Sequence, residues 1–222
     1  MKVKIIAKGD DGTGLPCPDI ISMRIAYFLF FKGIDFEIIP LTNKNKDSVL
    51  PENVSEKRLP VVLDEDTATY LEELGDIEEF YNQKYPQLHL GYSREHERLT
   101  SDAYIHFMAY AKKSTDDILV KIKNDLKQIE AQLAASQGPY MCGKIPSLVD
   151  CILFPKLYQI RSFFELTGTT DKIQLDELPQ FSAYYSLMMS LPISEELKSP
   201  NDMLTYFYQT KGFPRSVFKK RP

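Results

Sequence analysis

Residues 8–33, KGDDGTGLPCPDIISMRIAYFLFFKG, constrain the fold more than any other stretch of this chain. They follow an apolar run at residues 3–7 that reads as a strand, cross a loop containing Gly9, Gly12 and Gly14, and enter a helix of unusual hydrophobicity. The unit is strand, loop, helix, and the loop delivers Cys17, Pro18 and Asp19 to the helix start. Unpaired backbone N–H groups and the helix dipole favour negative charge there.

Two placements of that helix start fit the spacing. With Cys17 as N-cap, Pro18 takes the first helical position, which suits its fixed φ and missing donor. Cys17 is then an activated, nucleophilic thiol. With Asp19 as N-cap, a role Asp fills far better than Cys, Cys17 sits two residues out. The Asp19 charge then occupies the nucleophile's place and opposes thiolate formation nearby. An ordinary cap beside a bystander cysteine is the third reading, and the residues alone leave all three open.

The chain has 222 residues, 43% of them hydrophobic and 26% charged, as expected of a soluble globular protein with one large or two small domains. A formal net charge of −4 argues against a general nucleic-acid binder, which needs a basic face. Residues 1–7 are too short for a signal peptide and contain Lys2 and Lys4. Three cysteines without framework spacing fit a reducing cytosol, so the expectation is a cytoplasmic protein without a structural disulfide. Cys142 and Cys151 are expected to be structural. His89, His96 and His106 lack ligand spacing, so no metal site is expected.

Gly33 stops the first helix. Phe36, Ile38 and Ile39 give a short strand ended by Pro40, and the polar segment 41–56 holds at most a short helix near residues 47–50. Pro60 must begin the next strand, Val61-Val62-Leu63, because proline is excluded from central ladder positions. A hairpin through Asp64-Glu65-Asp66 returns along residues 67–71. Glu72-Glu73-Leu74 then opens a helix through Ile77, Phe80 and Tyr81. From Tyr92 the pattern is almost pure helix, so residues 86–91 read as a linker. Helices are expected at about 93–113 and 115–137, the latter with Ile118, Ile122, Leu126, Ile129 and Leu133 on one stripe. Ser147 and Asp150 make a capping box for an apolar helix behind them, with Pro155 a kink site inside it. Later helices are expected at about 179–190 and 200–209.

This order of elements resembles the glutathione transferase superfamily, and within it the chloride intracellular channel family, with dehydroascorbate reductases and omega-class transferases as cousins. The residues that carry the resemblance are Lys8 with the acidic Gly-rich loop, Arg24, Lys32-Gly33, Leu59-Pro60, Ile77-Glu78-Glu79-Phe80 and Ser147-Leu148-Val149-Asp150-Cys151. It implies an α/β thioredoxin-like domain at residues 1–86 followed by an all-α domain at residues 92–222. It implies a cis Leu59–Pro60 bond, with the Leu59 backbone pairing with the cysteinyl part of glutathione. Glu72 and Glu73 stand where relatives contact the γ-glutamyl end, and Lys8 joins Leu59, Pro60, Glu72 and Glu73 as glutathione-binding candidates. The family's Cys-Pro pattern is copied by Cys17-Pro18, yet ungapped counting from Lys8 or Arg24 puts Asp19 in the cysteine's slot, as in some invertebrate channel-family members. With Ile20 in place of a second cysteine, Cys17 is at best a monothiol site.

The resemblance also implies reversible membrane association and anion conduction. Hydropathy adds little, because the apolar stretch 20–31 contains Arg24 and falls short of the roughly 20 residues a spanning helix needs. A basic tail (Lys211, Arg215, Lys219, Lys220, Arg221) is available to anionic lipid. The expected function is thus that of a chloride intracellular channel-like protein. The alternative is a glutathione-dependent thiol oxidoreductase using Cys17, with glutathione as the small-molecule partner.

Overall fold

Near-continuous burial in β1 (Val3–Lys8) hides Val3, Ile5, Ile6 and Ala7, as befits an interior strand of a four-stranded sheet. The computed structural model describes residues 3–52 and 54–218, and the chain divides into units Met1–Leu90 and Gly91–Pro222.

In the first unit the strand order is β2-β1-β3-β4. Strand β2 (Phe36–Leu41) runs parallel to β1, with Ile38 opposite Ile5. Parallel neighbours need a crossover, and α1 (Ile20–Phe31) supplies it, ending at Gly33 with φ 63°. The sequence expectation stops β2 at Pro40, whereas the strand continues through Pro40 to Leu41. It lies at the sheet edge, where a residue without an N–H is tolerated. A single helical turn, α2 (Lys46–Val49), precedes β3 (Val61–Asp64), which pairs antiparallel with β1. The Leu59–Pro60 bond is cis. Strand β4 (Thr69–Leu71) closes the hairpin, and α3 (Leu74–Lys84) buries Ile77 and Tyr81.

Asp64, at the end of β3, is buried and accepts from Lys84 Nζ at 2.7 Å, Thr67 N–H at 3.1 Å and the Tyr81 hydroxyl at 3.2 Å. Burial alone would push its carboxyl up, but Lys84 and the two Thr67 donors hold it below the ordinary value. A carboxyl depressed in the fold stabilises above its unfolded pKa and loses that contribution as pH falls. Asp64→Asn is therefore expected to lower the urea midpoint at pH 7. The gap to wild type should close as pH drops below about 4, and a gap that persists unchanged well below that pH would refute the assignment.

In the second unit α4 (Arg94–Lys113) and α5 (Asp116–Ala135) pack side by side across a turn in which Ser114 has φ 51°. The stripe of α5 is buried at Ile122, Leu126, Ile129 and Leu133, while Leu119, not Ile118, takes the first buried position. Helix α6 (Leu148–Thr167) is buried on nearly every side and carries Pro155 within it. Then come α7 (Pro179–Met189), α8 (Pro192–Leu197) and α9 (Asn201–Thr210). The six-residue α8 has no sequence expectation because it is too short to show a period. Rings of Phe107, Phe163, Tyr208 and Phe213 pack edge-on, or stacked for the last two, at 5.4–6.5 Å. Of the basic tail, Lys219, Lys220 and Arg221 lie outside the described residues.

Ser147 and Asp150 form the expected capping box of α6. Asp150 is fully buried: Oδ2 accepts from the Ser147 N–H at 2.8 Å and its hydroxyl at 2.6 Å, and Oδ1 accepts from the Met141 N–H at 2.9 Å. Burial pushes this carboxyl up, and those donors counter part of the rise. Asp150→Ala strands two buried N–H groups, so a loss of about 2–4 kcal/mol is expected in urea unfolding of the full chain. An unchanged midpoint would refute it.

Candidate functional site

Polar residues of the β1–α1 loop fold it back on itself. Asp10 Oδ2 accepts from the Thr13 N–H at 2.8 Å and its hydroxyl at 2.9 Å, a side-chain turn of the kind Asp favours. At Gly9 any Cβ would lie 2.9 Å from the Leu41 carbonyl oxygen, so glycine is needed where the Gly9 N–H reaches that carbonyl at 2.8 Å. The loop returns when the Cys17 N–H donates to the Lys8 carbonyl at 2.6 Å.

The chain enters α1 through Asp19. Its φ of −80° and ψ of 147° are those of a cap, and Oδ1 accepts from the Ile21 N–H at 3.0 Å and the Ser22 N–H at 2.9 Å. Oδ2 accepts from the Ser22 hydroxyl. The placement with Cys17 as N-cap and Pro18 as first helical residue is thereby corrected. The carboxylate wins the cap because it is the better acceptor for the first-turn N–H groups. Cys17 stays in the loop, 6% exposed, with its N–H tied to β1 rather than to the helix. The Ile21 and Ser22 N–H groups of the first turn are thus taken by the Asp19 carboxylate.

Beside this loop is a cavity of about 320 Å³ whose lining includes Lys8, Asp11, Thr42, Asn43, Glu56 and Leu59. Of the sequence candidates it brings together Lys8 and Leu59. Cys17, Asp19, Pro60, Glu72 and Glu73 are not among its lining residues. Glu72 instead pairs with Arg58 at 3.2 Å, and Glu73 is the exposed N-cap of α3, making no side-chain cap bond. Asp11, Thr42, Asn43 and Glu56 escaped the sequence reading. Asn43 is fixed by its N–H donating to Asp11 Oδ1 at 2.7 Å, across 32 positions, and no local pattern signals such a bond. The cavity offers one ammonium, two carboxylates, a hydroxyl and an amide, a set suited to a small zwitterion.

None of the three cysteines forms a disulfide. Cys151 is buried in α6, but Cys142, expected to be structural, is exposed. It lies in a turn that Asp150 anchors rather than in the core. Among the described residues no cluster of His, Cys, Asp and Glu is arranged for a metal, and no helix is long and apolar enough to cross a membrane.

Residues 106–186 match the family model described as glutathione S-transferase, C-terminal domain. No curated protein sequence matches the chain. Among solved structures, the CLIC homologue EXC-4 from C. elegans superposes with a TM-score of 0.79 at 16% identity, over 99% of this chain and 84% of that one. Dehydroascorbate reductase from Chlamydomonas reinhardtii gives 0.66 at 16% identity, over 94% and 98%. A glutathione transferase family member from Pseudomonas fluorescens, solved with two glutathione bound, gives 0.61 at 16% identity, over 89% and 93%. Residues 106–186 are thus similar to a glutathione S-transferase C-terminal domain, and the chain has the glutathione transferase fold.

Proposed function

We propose that this chain is a chloride intracellular channel-like protein, cytoplasmic in its folded form, which joins membranes reversibly and conducts anions there. The observation that carries this reading is Asp19: its carboxylate receives the Ile21 and Ser22 N–H groups at the start of α1. A carboxylate cap puts negative charge where an activated thiolate would otherwise be favoured, which favours the non-enzymatic branch of the fold. The overlap with the CLIC homologue EXC-4 supports the same branch.

Glutathione is the small-molecule partner of this reading, held in the cavity beside the β1–α1 loop. Lys8 meets a glutathione carboxylate, Asp11 and Glu56 meet its ammonium, and the Leu59 backbone meets the cysteinyl unit. Pro60, Glu72 and Glu73 contribute by shaping the turn and the start of α3. The membrane form requires rearrangement, because none of the described helices is long and apolar enough to span a bilayer.

A second reading, glutathione-dependent thiol oxidoreductase, is favoured by one observation: the Cys17 N–H bond to the Lys8 carbonyl holds Cys17 next to a cavity-lining residue. Its step is a mixed disulfide formed when the Cys17 thiolate attacks glutathione disulfide and expels glutathione.

Liposome flotation at neutral and mildly acidic pH, with and without oxidant, tests the first reading. Vesicle-bound protein and chloride efflux are expected in the acidic or oxidising samples, and no association under any condition would overturn it. Alkylation of Cys17, mapped by mass, separates the second. A rate no faster than free cysteine at neutral pH is expected. A markedly faster rate, together with a disulfide-exchange activity that Cys17→Ser abolishes, would move the assignment to the enzyme.

A further inference from the structure

Cys142 lies in the second unit, and its Sγ is 3.3 Å from Nδ1 of His96. The two residues are 46 positions apart and come together because both are pinned. His96 sits in the first turn of α4, where its N–H donates to the Ser93 cap hydroxyl at 3.4 Å. Cys142 sits at the tip of a tight turn in which Tyr140 and Gly143 exchange N–H···O bonds of 3.1 and 3.2 Å. That turn is held from below by Asp150, through the Met141 N–H, and from the side by the Ser136 hydroxyl on the Tyr140 carbonyl at 2.6 Å. Gly143 has φ 131°, a conformation that side-chain-bearing residues rarely adopt. The residue is thus exposed on a pinned turn, with its partly buried sulfur beside an imidazole nitrogen.

We propose that Cys142 and His96 form a thiol–imidazole pair that takes up low-molecular-weight disulfides, making the helical unit the seat of a mixed disulfide independent of Cys17. A nucleophile within hydrogen-bond reach of a base is the arrangement that activates a thiol. Burial pushes the Cys142 thiol up, the Ser147 hydroxyl draws it down and the Asp150 charge pushes it up again, with the net shift upward. The sulfur therefore keeps its proton at neutral pH, and reaction depends on a base to remove it.

With the His96 proton on Nε2, Nδ1 accepts the Cys142 proton as the sulfur attacks one sulfur of the incoming disulfide. A bond forms between Cys142 Sγ and that sulfur, and the original S–S bond breaks. The departing thiolate takes the proton from the His96 imidazolium and leaves as a thiol. Cys142 is oxidised and half of the small disulfide is reduced, so no other redox partner is consumed. Cys151 does not resolve the adduct within the turn, because it is fully buried with its thiol on the Ser147 carbonyl at 3.5 Å. A second small thiol regenerates Cys142.

The test is the reaction of the full chain with hydroxyethyl disulfide at pH 7, with each cysteine-containing peptide quantified by mass over time. Cys142 is expected to be modified before Cys17 and Cys151, and faster in the folded protein than in the same chain unfolded in urea. His96→Gln, with folding checked by circular dichroism, should slow the Cys142 adduct by more than about twofold and towards the roughly hundredfold at the low end of general-base effects, while leaving Cys17 unchanged. A Cys142 rate in the folded protein no greater than in the unfolded chain would overturn the proposal without any variant. So would a Cys142 rate in a folded His96→Gln protein that stays within about twofold of wild type, far below what loss of a general base produces. Because Cys17 is scored separately, either result leaves the reading of the first unit intact.

Discussion

The buried carboxylate of Asp150 is the contact on which most of the helical unit depends. It sits at the third position of α6, the most buried helix, and its donors include the Ser147 amide, the Ser147 hydroxyl and the Met141 amide. One group therefore fixes where α6 starts and how the preceding turn lies on it. An ionised carboxylate in such a place is costly unless each oxygen is engaged, and both are. The position of Cys142 beside His96 follows from that turn, so the second unit's exposed thiol is placed by a bond it does not make.

The first unit is organised by a comparable economy of polar contacts. Asp64 joins the end of β3 to α3 through Tyr81 and Lys84, and Asp11 joins the β1–α1 loop to the end of β2 through Asn43. Between them, Gly9 lets the loop hug Leu41. The Gly9 and Asp11 links lie at the cavity lined by Lys8, Asp11 and Glu56, whereas Asp64 holds the other end of β1, opposite Val3; the loop itself leads to the Asp19 carboxylate at the start of α1.

Much of this was legible in the sequence, and the failures have physical causes. The strand start at Pro60, the capping box at Ser147 and the stripe of α5 are local patterns, and local patterns survive folding. The start of α1 was ambiguous because Pro18 at the first helical position and Asp19 as cap each satisfy a valid rule. The tie is broken by the bond from Cys17 to the Lys8 carbonyl, which belongs to the loop's path and not to the helix. Ile118 yields its buried place to Leu119 at the first turn of α5, where the periodic signal is weakest. At the cavity, Thr42, Asn43 and Glu56 fall in a segment readable only as polar. The pairing of His96 with Cys142 depends on two turns of the helical unit meeting, and neither turn announces the other.

The hydrophobic helix α1 is moored at two levels to α3. Arg24 pairs with Glu78 at 2.7 Å, and the buried Lys32 donates from Nζ to Asn82 Oδ1 at 2.9 Å and to the Tyr85 carbonyl at 3.2 Å, with its ammonium 5.5 Å from the Phe28 ring centre. Burial lowers the pKa of Lys32, which marks how reluctantly its charge gives up water. The greasy segment is thus a tethered piece of the sheet layer and not a loose strip waiting for lipid. Its release would be an all-or-none event: two cations would have to be rehydrated or handed to phosphate headgroups at the same moment that its apolar flanks lost their cover.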